Sequence, residues 1–187
     1  MIQLFKYLRN VHPISNDLRD ALEDNLHAKE VDKKDFLLRA GQICSNIYFV
    51  ERGLLRSYYL NDGKEISSGF SKENELCVSI ESFFSQQYGI EYIQALEASY
   101  VYYINYQYYQ HLLKEFPEFH AVCRILLQDC LCRKCKRLSA MWMEMAEEKY
   151  KWLFSQSPEL FQRASNKDIA SYLGITQGML STIRSRR

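Results

Sequence analysis

The chain has 187 residues, 47% hydrophobic and 25% charged, with a net charge of +1. That length holds one domain or two small ones with a real core, and the near-neutral balance excludes a general polyanion binder. No stretch approaches the ~18 apolar residues of a membrane helix, and the N-terminus lacks a secretory pattern, so a cytoplasmic protein with reduced cysteines is expected.

Residues 1–12 read as a short helical lead-in, broken at His12-Pro13. Ser15 or Asn16 then caps a helix to about Leu26, with Leu18, Leu22 and Leu26 at i, i+4 spacing. From Ala28 to Ile104 the pattern changes to short strands, over 36–38, 47–50, 54–60, 65–70, 76–80, 90–96 and 100–104. Residues 83–89 read as a loop or short helix. Asn61-Asp62-Gly63 is a strong hairpin turn, because Asp-Gly favours the type I′ geometry. Six to eight short strands at regular spacing predict a sandwich or barrel rather than a parallel α/β sheet.

Residues 106–116 form a short helix ended by Pro117, and a long helix runs from about Glu118 to Met145. Phe119, Val122 and Leu126 mark one apolar seam on it; Leu127, Leu131, Leu138, Met141 and Met145 mark a second. Two seams predict two neighbours, the strand domain and a partner chain. Lys134 falls on the second seam, so a long coiled coil is not expected.

From Ser165 to Arg187 two short helical patterns flank Gly174. Ser165 caps the first, with Asp168 three residues on and Ile169, Ala170 and Leu173 on one face. Thr176 caps the second, whose apolar face is Met179, Leu180 and Ile183. This is the layout of a helix-turn-helix, whose second helix enters the DNA major groove. Five bases (Arg163, Lys167, Arg184, Arg186, Arg187) face one acid (Asp168) here, about +4 on a small unit, which suits nucleic acid.

This order of parts resembles the Crp/Fnr family of bacterial transcriptional regulators. The resemblance rests on Gly41 through Gly53 with Ile47-Tyr48-Phe49-Val50 between, Leu54-Leu55-Arg56, Asp62-Gly63-Lys64-Glu65, and 168–184. Ala146-Glu147-Glu148-Lys149-Tyr150 is similar to the helix before the reading head in the Bacteroidetes branch. The resemblance implies an α+β fold in three parts. They are an N-terminal double-stranded β-helix of jelly-roll, cupin-like type (1–115), a long dimerisation helix (116–146) and a helix-turn-helix DNA-binding domain (147–187). It implies a homodimer on double-stranded DNA with half-sites about one turn apart, and RNA polymerase and a small-molecule effector as further candidate partners. The DNA-contacting residues it implies are Ser165, Asn166, Thr176, Gln177, Gly178, Ser181, Thr182, Arg184 and Arg186. Gln177 can pair with adenine, and Arg184 and Arg186 suit phosphate. Gly178 costs roughly 1 kcal/mol inside a helix relative to Ala, and is either tolerated or lets the helix sit close to DNA. The chain stops at Arg187, so the wing that follows in some relatives is expected to be missing.

Relatives that bind cyclic AMP neutralise its phosphate with an Arg in a short cassette. The matching stretch here, 74–92, has no Arg or Lys and carries Glu75, Glu81 and Glu91. Cyclic nucleotide binding is therefore expected to be lost or weak, and the effector is left open. Cys123, Cys130, Cys132 and Cys135 could hold zinc or an iron–sulfur cluster, but on one helix only Cys132 and Cys135 share a face closely. Packing or interface thiols are the expected reading, although the basic run 133–137 could lower a thiol pKa. The alternative function is a small-molecule or metal/thiol redox sensor with a vestigial DNA-binding head. The four histidines lie outside the predicted strands and no catalytic constellation stands out, so neither an enzyme nor a bound metal is expected.

Overall fold

The structure, a computed structural model, describes residues 2–186. Two helices, α1 (Ile2–Val11) and α2 (Asn16–Asn25), precede the strands. Ser15 is the cap of α2: its Oγ accepts the Leu18 N–H at 3.1 Å, satisfying one of the orphan donors at a helix start. Eight strands follow: β1 (His27–Val31), β2 (Phe36–Leu38), β3 (Asn46–Arg52), β4 (Leu55–Asn61), β5 (Lys64–Ser71), β6 (Leu76–Cys77), β7 (Glu91–Ala95) and β8 (Ser99–Asn105). They form two antiparallel sheets, ordered β1-β8-β3-β6 and β2-β7-β4-β5. The β4–β5 hairpin turns on Asp62 and Gly63, with φ of 49° and 73°; two positive φ values are the type I′ signature. Phe49, Val50, Leu55, Ile93 and Val101 bury between the sheets, and Leu4, Leu8, Leu18 and Leu22 of the two helices join the same core.

Three expectations shift. The strand predicted over 76–80 stops at Cys77, and Ile80 opens α3 (Ile80–Ser85) instead. Ser82 fixes that turn, its Oγ accepting the Cys44 N–H at 2.9 Å and donating to the Gln87 carbonyl at 2.6 Å. His27, read as outside the strands, begins β1, where its ring lies against Tyr103. The long helix is shorter than predicted. After α4 (Tyr106–Glu115), α5 (Pro117–Met141) starts with proline at its first position, where no N–H is needed. It ends at Met141 because the Trp142 N–H turns back to the Ser139 carbonyl, and Met145 is extended as the cap of α6 (Ala146–Gln156). No Gly or Pro in 138–145 signals that break.

Of the two seams of α5, the first faces the strand core and the second faces away from it. Phe119 and Val122 are buried and Leu126 packs on the strand core. Leu127, Leu131, Leu138 and Met141 are exposed, and Met145 lies beyond the helix end.

The chain closes with α7 (Leu160–Arg163), α8 (Asn166–Leu173) and α9 (Gln177–Ser185). Their core is shared with the strand domain. Leu54, between β3 and β4, is fully buried among Tyr150, Leu153, Leu160, Phe161, Ile169 and Leu180. Gly53 makes that approach feasible: its φ is +105°, and a Cβ there would lie 2.2 Å from Ser99 Oγ.

Candidate functional site

The helix α8 begins with a reciprocal cap. Ser165 Oγ accepts the Asp168 N–H at 3.1 Å and donates to Asp168 Oδ2 at 2.7 Å. It ends at Gly174, φ 64°, with the Ile175 N–H returning to the Ala170 carbonyl at 3.0 Å. Thr176 Oγ1 then accepts the Met179 N–H at 3.2 Å and starts α9. Ile169, Ala170, Leu173 and Leu180 are buried where the helices cross, while Met179, read as apolar face, is 47% exposed.

Gln177, Gly178, Ser181 and Thr182 are exposed on α9, as is Arg186 just beyond its end. The other predicted contacts are engaged within the chain. Ser165 and Thr176 are caps, and Asn166 Oδ1 accepts from Arg184 Nη1 at 2.5 Å. Arg184 Nη2 also donates to the Phe161 carbonyl at 3.2 Å, so this side chain is tied back rather than extended. Arg163, counted among the free bases, is committed: it bonds both Glu73 oxygens at 2.8 and 2.9 Å and Glu97 Oε1 at 2.6 Å. Arg187 lies outside the described residues.

Sequence reasoning missed what holds α8. Arg56 of β4 is 2% exposed. Its Nη1 lies 2.9 Å from both Glu65 Oε2 and Asp168 Oδ1, and its Nε donates to Ser67 Oγ at 2.8 Å. Ser67 Oγ donates in turn to the Asp168 carbonyl at 3.0 Å, and the Ser67 N–H donates to Ser171 Oγ at 2.9 Å. Ser171 Oγ donates to the Glu65 carbonyl, also at 2.9 Å. Side chains of α8 therefore complete the hydrogen bonding of β5. The Arg56 hydrogen bond holds the Glu65 carboxyl below its ordinary range. Burial works against Glu73, but the Arg163 bonds and the Gly53 N–H outweigh it and bring its pKa to about 2. Lys72 and Glu159 pair at the edge of the same contact. Only the segment Leu54-Leu55-Arg56 hinted at this, and a buried arginine is not distinguishable from a surface one by residue type.

Beside the contact, a cavity of about 190 Å³ opens between the strands and α5. Its walls include Phe70, Val78, Phe84, Tyr109 and Leu126, with Tyr172 of α8. Glu75 lines it, its carboxyl pushed up by burial. Arg133, Lys134 and Arg137 line it from α5. The basic run 133–137 thus turns in part toward the interior.

The cysteines divide. Cys44 and Cys77 are buried, and burial pushes the Cys77 thiol to about 12 and that of Cys123 to about 11. Cys132 and Cys135 are exposed on α5. Among the described residues no group of three or more His, Cys, Asp or Glu is placed to hold a metal ion. No described helix is long and apolar enough to cross a membrane.

The two sheets, apart from His27 at the start of β1, fall with α3 in a span, residues 28–116, that matches the family model for the cyclic nucleotide-binding domain. No curated protein matches the chain significantly. Among solved structures, a protein described as a Crp/Fnr-family transcriptional regulator from Eubacterium rectale aligns over 95% of this chain and 87% of its own, at 16% identity and TM-score 0.74. FixK2 from Bradyrhizobium japonicum aligns over 86% and 83%, at 16% identity and TM-score 0.72. A CooA variant from Carboxydothermus hydrogenoformans aligns over 98% and 83%, at 17% identity and TM-score 0.68. The whole chain therefore has the fold of Crp/Fnr-type regulators, with the cyclic nucleotide-binding domain as its N-terminal part.

Proposed function

We propose that the chain is a Crp/Fnr-type transcriptional regulator that binds double-stranded DNA as a homodimer, with α9 in the major groove. The observation that carries this reading is the division of labour on the last two helices. Leu180 is fully buried and α8 is fastened to β5, while Gln177, Gly178, Ser181 and Thr182 stand exposed on α9, with Arg186 exposed just after it. With α8 held by the strands, the polar side of α9 is left open to a groove, as a reading helix requires. Gln177 suits adenine, Ser181 and Thr182 suit bases or phosphates, and Arg186 suits phosphate. The exposed Leu127, Leu131, Leu138 and Met141 of α5 suit a second copy, which would present two reading helices to a two-fold site.

Cyclic nucleotides are not the effector in this reading. The span 74–92 offers Glu75, Glu81 and Glu91 and no base to a cyclic phosphate. The thiol-sensor alternative has less support, since burial raises the Cys77 and Cys123 thiols and makes them poor nucleophiles. Selection from random duplexes followed by gel shift tests the proposal. The expected result is a two-fold symmetric operator whose affinity falls steeply with salt. Absence of salt-sensitive duplex binding, or a strictly monomeric chain in solution, would overturn it.

A further inference from the structure

Arginines at the contact between the C-terminal helices and the strands differ in what they meet. Arg56 and Arg163 meet carboxylates. Arg137 of α5 meets only carbonyl oxygens: its Nη2 donates to Ser67 O of β5 at 2.9 Å and to Tyr172 O of α8 at 3.3 Å. Its guanidinium carbon lies 4.4 Å from the centre of the Tyr172 ring. Among the described residues it has no acidic partner, and its Nε is buried without a hydrogen bond. A half-buried cation left without a counter-charge is costly, and the side chain stands in the wall of the cavity described above.

That cavity is mostly apolar, and its charged lining is unbalanced. Arg133, Lys134 and Arg137 face the single carboxyl of Glu75. Arg133 is already paired with Asp129, whereas Lys134 and Arg137 have no acidic partner among the described residues. The volume, about 190 Å³, lies below the ~300 Å³ at which drug-sized pockets begin. It exceeds the engineered void of roughly 150 Å³ that takes up benzene. The space fits one ring or a short chain, not a nucleotide.

We propose that the effector is a small carboxylic acid with an apolar body, its carboxylate taken by Arg137 with Lys134 beside it. This rests on the regulator reading and specifies the ligand at that site. The apolar body lies along Val78, Phe84 and Leu126, and the carboxylate supplies the counter-charge the lining lacks. Arg137 also holds the Tyr172 carbonyl through Nη2, so an acid drawn to its guanidinium acts on a group that positions α8. The ligand is therefore sensed by the helix that carries α9, without a relay through the strands.

Calorimetry on the full chain tests this with 3-phenylpropionate and octanoate against 3-phenylpropanol, octanol and cyclic AMP. Each acid should bind at least tenfold more tightly than its alcohol, the gain expected of a charge-assisted hydrogen bond. Arg137→Gln should bring acid and alcohol within about threefold of each other. Gly69→Leu should abolish binding of both, since Gly69 lines the cavity and an added Cβ there meets nothing within 4 Å. Acid, but not alcohol, should change amide exchange across 166–173.

Equal affinity of acid and alcohol overturns the proposal, as do tighter binding of cyclic AMP and no heat from either acid at millimolar concentration. Exchange across α8 unaltered by bound acid overturns the coupling. Should Arg137→Gln fail to fold, the acid-to-alcohol ratio of the native chain and its abolition by Gly69→Leu still decide. Gel shift without any acid is scored separately: loss of duplex binding there sinks the regulator reading, whereas equal acid and alcohol affinities with duplex binding intact sink only this inference.

Discussion

Replacing Arg56 with Met removes the cation at the centre of the α8 contact while keeping most of its apolar stem. Two carboxylates then lose their shared partner. They are not equivalent: the Asp168 side chain is 11% exposed and that of Glu65 32%. Glu65 can turn to water and keeps Lys167 at 3.4 Å, but Asp168 is left nearly dry. Breaking a buried pair from one side costs about 3–5 kcal/mol, and the partial exposure of Glu65 places this case near about 3 kcal/mol. If the chain melts as one unit, about 3 kcal/mol lowers its Tm by roughly 6–12 °C at this size. The assay is urea denaturation of Arg56→Met, Asp168→Asn and the double variant. Groups in direct contact couple by about 0.5–3 kcal/mol, so the double variant should lose clearly less than the sum. A single variant losing less than about 1 kcal/mol, or effects that add within about 0.3 kcal/mol, would refute the claim that Arg56 fastens α8.

Acid should loosen the same contact. Glu73 and Glu65 have carboxyls held below their ordinary values, Glu73 at about 2. A depressed folded-state pKa stabilises above the unfolded value, near 4.5, and that stabilisation is lost as pH falls toward the folded value. The protection of α8 amides, measured relative to their intrinsic exchange rate at each pH, should therefore fall between about pH 4.5 and 2, and a flat protection profile there would contradict the assignment. Gly53→Ala adds a Cβ 2.2 Å from Ser99 Oγ at a φ of +105°, and should cost about 3 kcal/mol in urea titration. Gly178→Ala has open space, its nearest contact being Thr176 Oγ1 at 3.9 Å, and should stabilise by up to ~1 kcal/mol. If Gly178 serves close approach to DNA, the same variant should weaken operator binding in gel shift; unchanged affinity would make the glycine incidental.

The elements written in local patterns were legible in the sequence. Asp62-Gly63 marked the hairpin, Ser165 and Thr176 marked two helix starts, Ser15 or Asn16 marked a third to within one residue, and Gly174 marked the turn before α9. What escaped depends on contacts between distant residues. Arg56 and Asp168 are 112 positions apart, and nothing in either neighbourhood marks them as partners. The end of α5 at Met141 follows from a backbone turn at Trp142 among residues that are acceptable in helices. For the candidate site, exposure of Gln177, Ser181 and Thr182 followed from the apolar spacing of α9, because Leu180 could face only one way. The fate of Arg163 and Arg184 did not follow, since a cation looks equally ready for phosphate or for a neighbouring acid. The charge count about the last helices therefore overstated what is free to meet DNA.

The bonds between α8 and β5 have a mechanical meaning for the proposed dimer. In the proposed dimer, with that helix bonded to its own strands, the distance between the two copies of α9 would be governed chiefly by how the two long helices splay. A few degrees of tilt at the seam would be magnified along this rigid lever arm, so small repacking around Leu131 or Leu138 would alter which operator spacing the pair can straddle.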